Sequence, residues 1–178
     1  REATTRVLVT TKANALEHSS RPDCNFLTTH LFTPRSGLSV LAAPDNYTPV
    51  QASSADLAKL LAVTRQGFDY VVIDAGSSLG AHSRALFEAS SAVYLVAQVS
   101  VSDLRNANRL ITELFAPAGL KPEVVLNRFN PRSPGIDEEH LTKALTVSAS
   151  WRIPSDYPAA RQAQNTATRR WPFRVAWC

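Results

Sequence analysis

The sequence predicts an α/β protein built on a mainly parallel, open sheet with helices on both faces. Three observations carry that prediction. From Leu38 to Thr166, short apolar runs rich in β-formers alternate with helix-period stretches of roughly 10–15 residues, the signature of βαβ units. One run, Tyr70-Val71-Val72-Ile73, has no charged or amide position, which reads as a strand buried on both faces in mid-sheet. Proline or glycine punctuates the boundaries, as at Pro44, Gly67, Pro117 and Gly119.

Residues 1–36 are poorly defined. Val7 to Val9 could make a short strand and Ala13 to Glu17 could start a helix, but nothing before Leu38 predicts a stable element by itself. Leu38 to Ala42 reads as a strand stopped by Pro44. The helix that follows has two candidate starts. Thr48-Pro-Val-Gln51 offers a cap, a proline at the first helical position and a glutamine at the third; Ser53 or Ser54 could cap it instead. Leu57, Leu60 and Leu61 share its apolar face, and Gly67 ends it. The Tyr70 strand comes next, then a helix over Ala81 to Ser90 and a strand over Ala92 to Gln98.

Ser100 with Asp103 can box the start of the next helix, whose Leu104, Ala107, Ile111 and Leu114 keep helical spacing until Pro117 and Gly119 stop it. Glu123 to Leu126 reads as a strand and Asn127-Arg-Phe-Asn-Pro as a loop. Asp137-Glu-Glu suits a helix N-terminus, with Lys143 near the other end. Ser150 to Ile153 is the last strand, with Trp151 expected in the core, and Pro154-Ser-Asp156 leads into a helix to about Thr166.

Composition narrows the function. With 178 residues, 44% of them hydrophobic, the chain can bury a real core, yet no apolar run approaches the ~18–20 residues of a membrane span. Arg1 to Thr11 lacks the apolar stretch of a signal peptide, and Cys24 and Cys178 have no metal-like spacing, so a reduced, cytoplasmic setting is expected. The net charge is +4, and residues 157–178 account for all of it through Arg161, Arg169, Arg170 and Arg174. The body is balanced, which argues against a nucleic-acid-binding face. The basic tail with Trp171, Phe173 and Trp177 could touch anionic lipid or nucleic acid, or dock on its own domain. The four histidines form no metal pair, and no Gly-x-Ser-x-Gly marks a serine hydrolase.

Candidate chemistry gathers at the carboxyl ends of the strands, where open α/β sheets bind ligands. Asp74 closes the Tyr70 strand, and Gly76 and Gly80 free the backbone after it. Strand, aspartate, glycine turn is the layout of a Walker B site, whose carboxylate holds the water shell of a nucleotide-bound Mg²⁺. The same carboxylate could instead cap the next helix. Asn127 directly after an apolar run offers one donor and one acceptor, which suits an adenine edge, though turns also favour asparagine. Gln98 to Ser100 and Pro154 to Asp156 end the other strands.

Phe68-Asp-Tyr-Val-Val-Ile-Asp74, Leu126-Asn-Arg128 and Ile153-Pro-Ser-Asp156 together resemble the MinD/ParA ATPases. The closer resemblance is to the CpaE/TadZ branch, linked to Flp (tight adherence) pilus assembly. Ser36-Gly-Leu-Ser-Val-Leu-Ala-Ala-Pro44 and Ala163-Gln-Asn-Thr-Ala167 add to it, and it covers residues 13–168 or so.

The resemblance implies a cytoplasmic P-loop NTPase-like domain of the deviant Walker A type. Such a domain binds ATP with Mg²⁺, forms a homodimer across the nucleotide, and positions pilus assembly or polar membrane proteins, with a peripheral place at the inner membrane. It makes Asp74 the Walker B aspartate and metal-side residue, and Gly76 the switch-loop glycine. It sets Asn127 against adenine with Arg128 beside it, and Pro154 and Asp156 in the loop bordering the base.

The departures are as informative. The family's phosphate loop is glycine-rich and lysine-bearing, followed by serine or threonine. None of the six glycines opens such a loop, and no Gly-Lys-Ser/Thr occurs. The expectation is therefore an incomplete domain over 37–168, beginning after the phosphate loop, its helix and the acidic second strand. Residues 169–178 form a tail outside the family pattern. The missing strand normally lies beside the Walker B strand, so either another segment fills the gap, Val7 to Val9 being the spare candidate, or the fold is marginal. ATP hydrolysis by these residues is not expected. The rival readings are a non-catalytic pseudo-ATPase module that docks partners, a flavodoxin-like or receiver-like domain, and a nucleic-acid binder using the C-terminal arginines.

Overall fold

The structure is a computed structural model and describes residues 5–11, 31–32, 38–41, 53–77, 79, 81–131 and 138–166. It divides into two units, Arg1–Ser90 and Ser91–Cys178, each with its own sheet. Parallel sheets with helices make both units α/β, as the alternating pattern predicts.

The first unit holds β1 (Val7–Thr11), β2 (Leu31–Phe32), β3 (Leu38–Leu41) and β4 (Tyr70–Asp74), in the order β2-β3-β1-β4. β1 runs parallel to β3 and to β4, while β2 is antiparallel to β3. Val7–Thr11 is thus an inner strand, at the Val7 to Val9 run that the sequence offers as a short strand though not as an element stable by itself. Three apolar residues say little locally. Ladders on both flanks, pairing Val9 with Val40 on one side and Val72 on the other, supply the stability. Leu8 is fully buried at its centre.

Helix α1 (Ser54–Gly67) follows β3, and the Leu57 amide donates to the Ser53 carbonyl at 3.2 Å. Of the two candidate starts, Ser53 is therefore the boundary; Thr48–Gln51 lies outside the described residues. Leu57, Leu60 and Leu61 pack with Leu86 of α2 (Ala81–Ala89) and with Ile73 of β4. Buried Thr64 is satisfied by donating its hydroxyl to the Leu61 carbonyl at 3.0 Å. The Arg65 guanidinium donates to the Ala89 carbonyl, covering an orphan acceptor at the end of α2.

The expectation that Tyr70–Ile73 is buried on both faces does not hold within this unit. Side chains alternate across a strand, so Val71 and Ile73 share the face under α1 and α2. On the opposite face Tyr70 is 64% and Val72 53% exposed. The cause is topological: β4 ends its sheet, and among the described residues no strand pairs with its other edge. Val7–Thr11 does pair with the Walker B-like strand, but on the side leading to β3.

The second unit is an all-parallel sheet of β5 (Tyr94–Gln98), β6 (Glu123–Phe129) and β7 (Ala149–Pro154), in that order. Helix α3 (Val101–Leu110) continues through a π-turn, Ile111–Phe115, and a 3-10 turn, Ala116–Ala118, to Gly119 at φ 70°. Pro117 and Gly119 stop it as predicted. The wide π-turn changes which residue reaches the core: Phe115 is buried and Leu114 only half-buried, where plain helical spacing predicts Leu114. Helix α4 (Glu138–Ala144) adds Leu141, with Leu145 just beyond it, to a core of Ala97, Leu104, Ala107, Ile111, Val124 and Leu126. Helix α5 (Tyr157–Thr166) closes the described chain.

Ser100 starts α3 in the predicted manner. Its hydroxyl accepts from the Asp103 amide at 3.1 Å and donates to the Asp103 carboxylate at 2.7 Å. Ser100→Ala should lower stability by about 1 kcal/mol, read as a shifted urea midpoint with an unchanged slope. Trp151 is half-buried, and its indole N–H donates to the Glu123 carboxylate at 2.6 Å, giving its polar end a partner.

Candidate functional site at the strand ends

Asp74 is the last residue of a parallel strand, and its side chain is exposed. One carboxylate oxygen accepts from the Gly76 amide at 2.8 Å, and Gly76 takes φ 63°, a left-handed conformation that glycine adopts without Cβ strain. The carboxylate thus fastens the turn leaving β4. Helix α2 begins only at Ala81, so Asp74 is not its N-cap, and that alternative falls. The other oxygen is placed to meet solvent, a metal-bound water or a ligand.

Four more predicted residues lie together at the carboxyl rim of the second unit. Asn127 is register partner to Gln98 across β5 and β6, and Pro154 to Phe129 across β6 and β7. The predicted Asn127–Pro131 loop is corrected here: β6 runs on through Phe129, with a bulge in its pairing to β7 between Leu126 and Phe129. At the bulge Arg128 adopts φ 54°, the one non-glycine residue with positive φ among the described residues. Asn127 secures it by accepting the Arg128 amide on its side-chain oxygen at 2.9 Å. The Ser155 amide donates to the Phe129 carbonyl at 3.0 Å and ties the β7 exit to the same bulge.

A left-handed arginine stores strain of about 1–2 kcal/mol, and such strain persists where structure around it compensates, often at functional sites. Arg128→Gly should therefore raise the urea midpoint, by up to about 1 kcal/mol in stability. A fall would show that the arginine side chain stabilises the bulge.

Asp156 accepts the Ala159 amide at 3.0 Å and caps α5, so one of its oxygens has a structural task. Two neighbours escaped the sequence reading. Phe129 and Arg152 stack, with the guanidinium carbon 5.6 Å from the ring centre. Only the bulged register brings them together, and no local signal announces it. Among the described residues no three His, Cys, Asp or Glu side chains are grouped to hold a metal. Each unit thus ends its parallel strands in exposed polar groups, Asp74 in the first and Gln98, Asn127 and Arg128 in the second.

Parallel strands alternating with helices, with polar groups at their carboxyl ends, make an open α/β fold. Solved structures narrow this to the fold of the ParA/MinD ATPases. A ParA family ATPase from Chlorobium tepidum TLS matches with a TM-score of 0.79 at 21% identity, over 93% of this chain and 78% of that one. A chain of the MinC:MinD cell division protein complex of Aquifex aeolicus matches at 0.70 and 15%, over 90% and 73%. MinD complexed with Mg-ADP from Pyrococcus horikoshii OT3 matches at 0.63 and 19%, over 89% and 71%. No protein-family model and no curated protein matches the sequence.

Proposed function

We propose that the chain is a partial ParA/MinD-type ATPase domain of the CpaE/TadZ kind, whose intact relatives are Mg-ATP-dependent positional switches in pilus assembly. By itself it binds the base weakly and does not hydrolyse ATP. The observation that carries this reading is Asp74: an exposed carboxylate ending a parallel strand, with a left-handed glycine turn behind it. Within the second unit Asn127 and Arg128 would face adenine, with Pro154 and Asp156 bordering it; within the first, Asp74 and Gly76 would hold the water shell of a cation. The setting proposed is cytoplasmic, at the inner membrane only through partners; no helix among the described residues is long and apolar enough to cross a membrane.

The test is a titration with adenosine followed by amide NMR shifts. Asn127→Leu should weaken binding about tenfold, since it removes the NH₂ donor and leaves a purine acceptor unpaired. Unchanged binding would remove Asn127 from the site.

A second reading, a non-catalytic module that docks partners or a second copy, draws on another observation. In register on one face of the first sheet stand Leu38, Val7 and Tyr70, then Val40, Val9 and Val72, without a charge among them. Leu38, Tyr70 and Val72 are exposed, and an apolar patch rimmed by polar groups is a common docking surface.

A further inference from the structure

We propose that Gln98 is the sugar-side contact of the nucleoside site, its amide hydrogen-bonding the ribose hydroxyls of the base that Asn127 reads. The inference rests on the nucleotide reading above and adds a residue and a ligand group to it. Along the rim of the second unit the strand ends follow the order β5, β6, β7, displaying Gln98, then Asn127 and Arg128, then Pro154 to Asp156.

The β7 side is occupied. Pro154 presents an apolar ring, Asp156 is engaged in capping α5, and the Ser155 amide is bonded to Phe129. On the face that Asn127 shares, β7 offers the apolar Ile153, while Pro154 follows its register partner Phe129 to the core face, so the polar partner for the sugar of a base held by Asn127 lies on β5.

Gln98 is the side chain waiting there. It is the register partner of Asn127, so both side chains stand on the same face of the sheet. Adjacent strands lie about 4.8 Å apart, and glutamine reaches one methylene further than asparagine. Gln98 is exposed and makes no side-chain hydrogen bond among the described residues, so its donor and acceptor are both available to a vicinal diol. Asn127 differs. Its oxygen already takes the Arg128 amide, which fixes the asparagine's orientation while leaving its NH₂ group to the ligand. The two amides then divide the nucleoside between them, Asn127 on the base and Gln98 on the sugar.

The experiment titrates the 178-residue chain and two variants with adenosine and with 2′,3′-dideoxyadenosine, read by amide NMR shifts. The unmodified chain should bind adenosine about fivefold more tightly than the dideoxy probe, the value of one well-made hydrogen bond. Gln98→Met keeps the length and removes the polar groups; it should erase that preference while leaving dideoxyadenosine affinity unchanged. Asn127→Leu should weaken both probes together. A preference that survives Gln98→Met, or equal losses of both probes in that variant, overturns the assignment of Gln98 with base reading intact. Failure of the unmodified chain to bind either probe overturns the nucleotide reading itself. Circular dichroism of each variant checks that the fold is retained.

Discussion

Leu126→Ala should destabilise the second unit by about 3–5 kcal/mol, the upper part of the range for deleting a buried leucine. Leu126 is fully buried, beside fully buried Val124 on the same strand. It stands in register with Ala97 of β5 and beneath a core that includes Leu104, Ala107, Ile111 and Leu141. β6 is paired on both sides, so its backbone cannot move to fill the space, and the cavity term adds to the lost transfer free energy. Tyr94→Ala on β5 is the contrast: Tyr94 is 55% exposed, and its loss should cost under about 1 kcal/mol. Urea unfolding followed by far-ultraviolet circular dichroism measures both. Equal effects would mean that the α3 and α4 face of the sheet is not the core.

Much of the architecture was legible because periodicity and caps are local. The Ser100–Asp103 box, the Gly119 stop and the apolar face of α1 follow from side chains a few residues apart, and the structure has them. The misreadings lie where distant chain decides. Val7–Thr11 becomes an inner strand only through β3 and β4. Tyr70–Ile73 looks like a mid-sheet strand, yet among the described residues of its own unit it pairs on one side only, and local hydrophobicity does not say which strands flank it. Phe115 displaces Leu114 because a π-turn adds a residue to one helical turn, and no residue type signals that. At the candidate site the sequence located Asp74, Gly76, Asn127, Arg128, Pro154 and Asp156 at strand ends. It could not anticipate the bulge that runs β6 on to Phe129, the left-handed Arg128, or the stacking of Arg152 on Phe129.

The second large effect concerns the phosphates. A glycine-rich phosphate loop contributes several backbone amides, a helix N-terminus and a lysine to the triphosphate. Charge-assisted hydrogen bonds contribute about 1.5–3 kcal/mol each, so two or three of them raise ATP over adenosine on the order of a thousandfold. Within these 178 residues no Gly-Lys-Ser/Thr exists to make them. On the proposed reading, Asn127 meets the base and Gln98 the sugar in the second unit, and Asp74 meets a hydrated cation in the first. Asp74 alone, beside three additional phosphate charges, gains nothing from ATP unless Mg²⁺ stands between them.

The most direct measurement compares the affinities of adenosine and Mg-ATP for this chain, with phosphate release followed in the same samples. The account predicts affinities within about threefold of each other and no release above buffer. ATP bound on the order of a thousandfold more tightly, with steady turnover, would contradict it by revealing a phosphate grip elsewhere in the molecule.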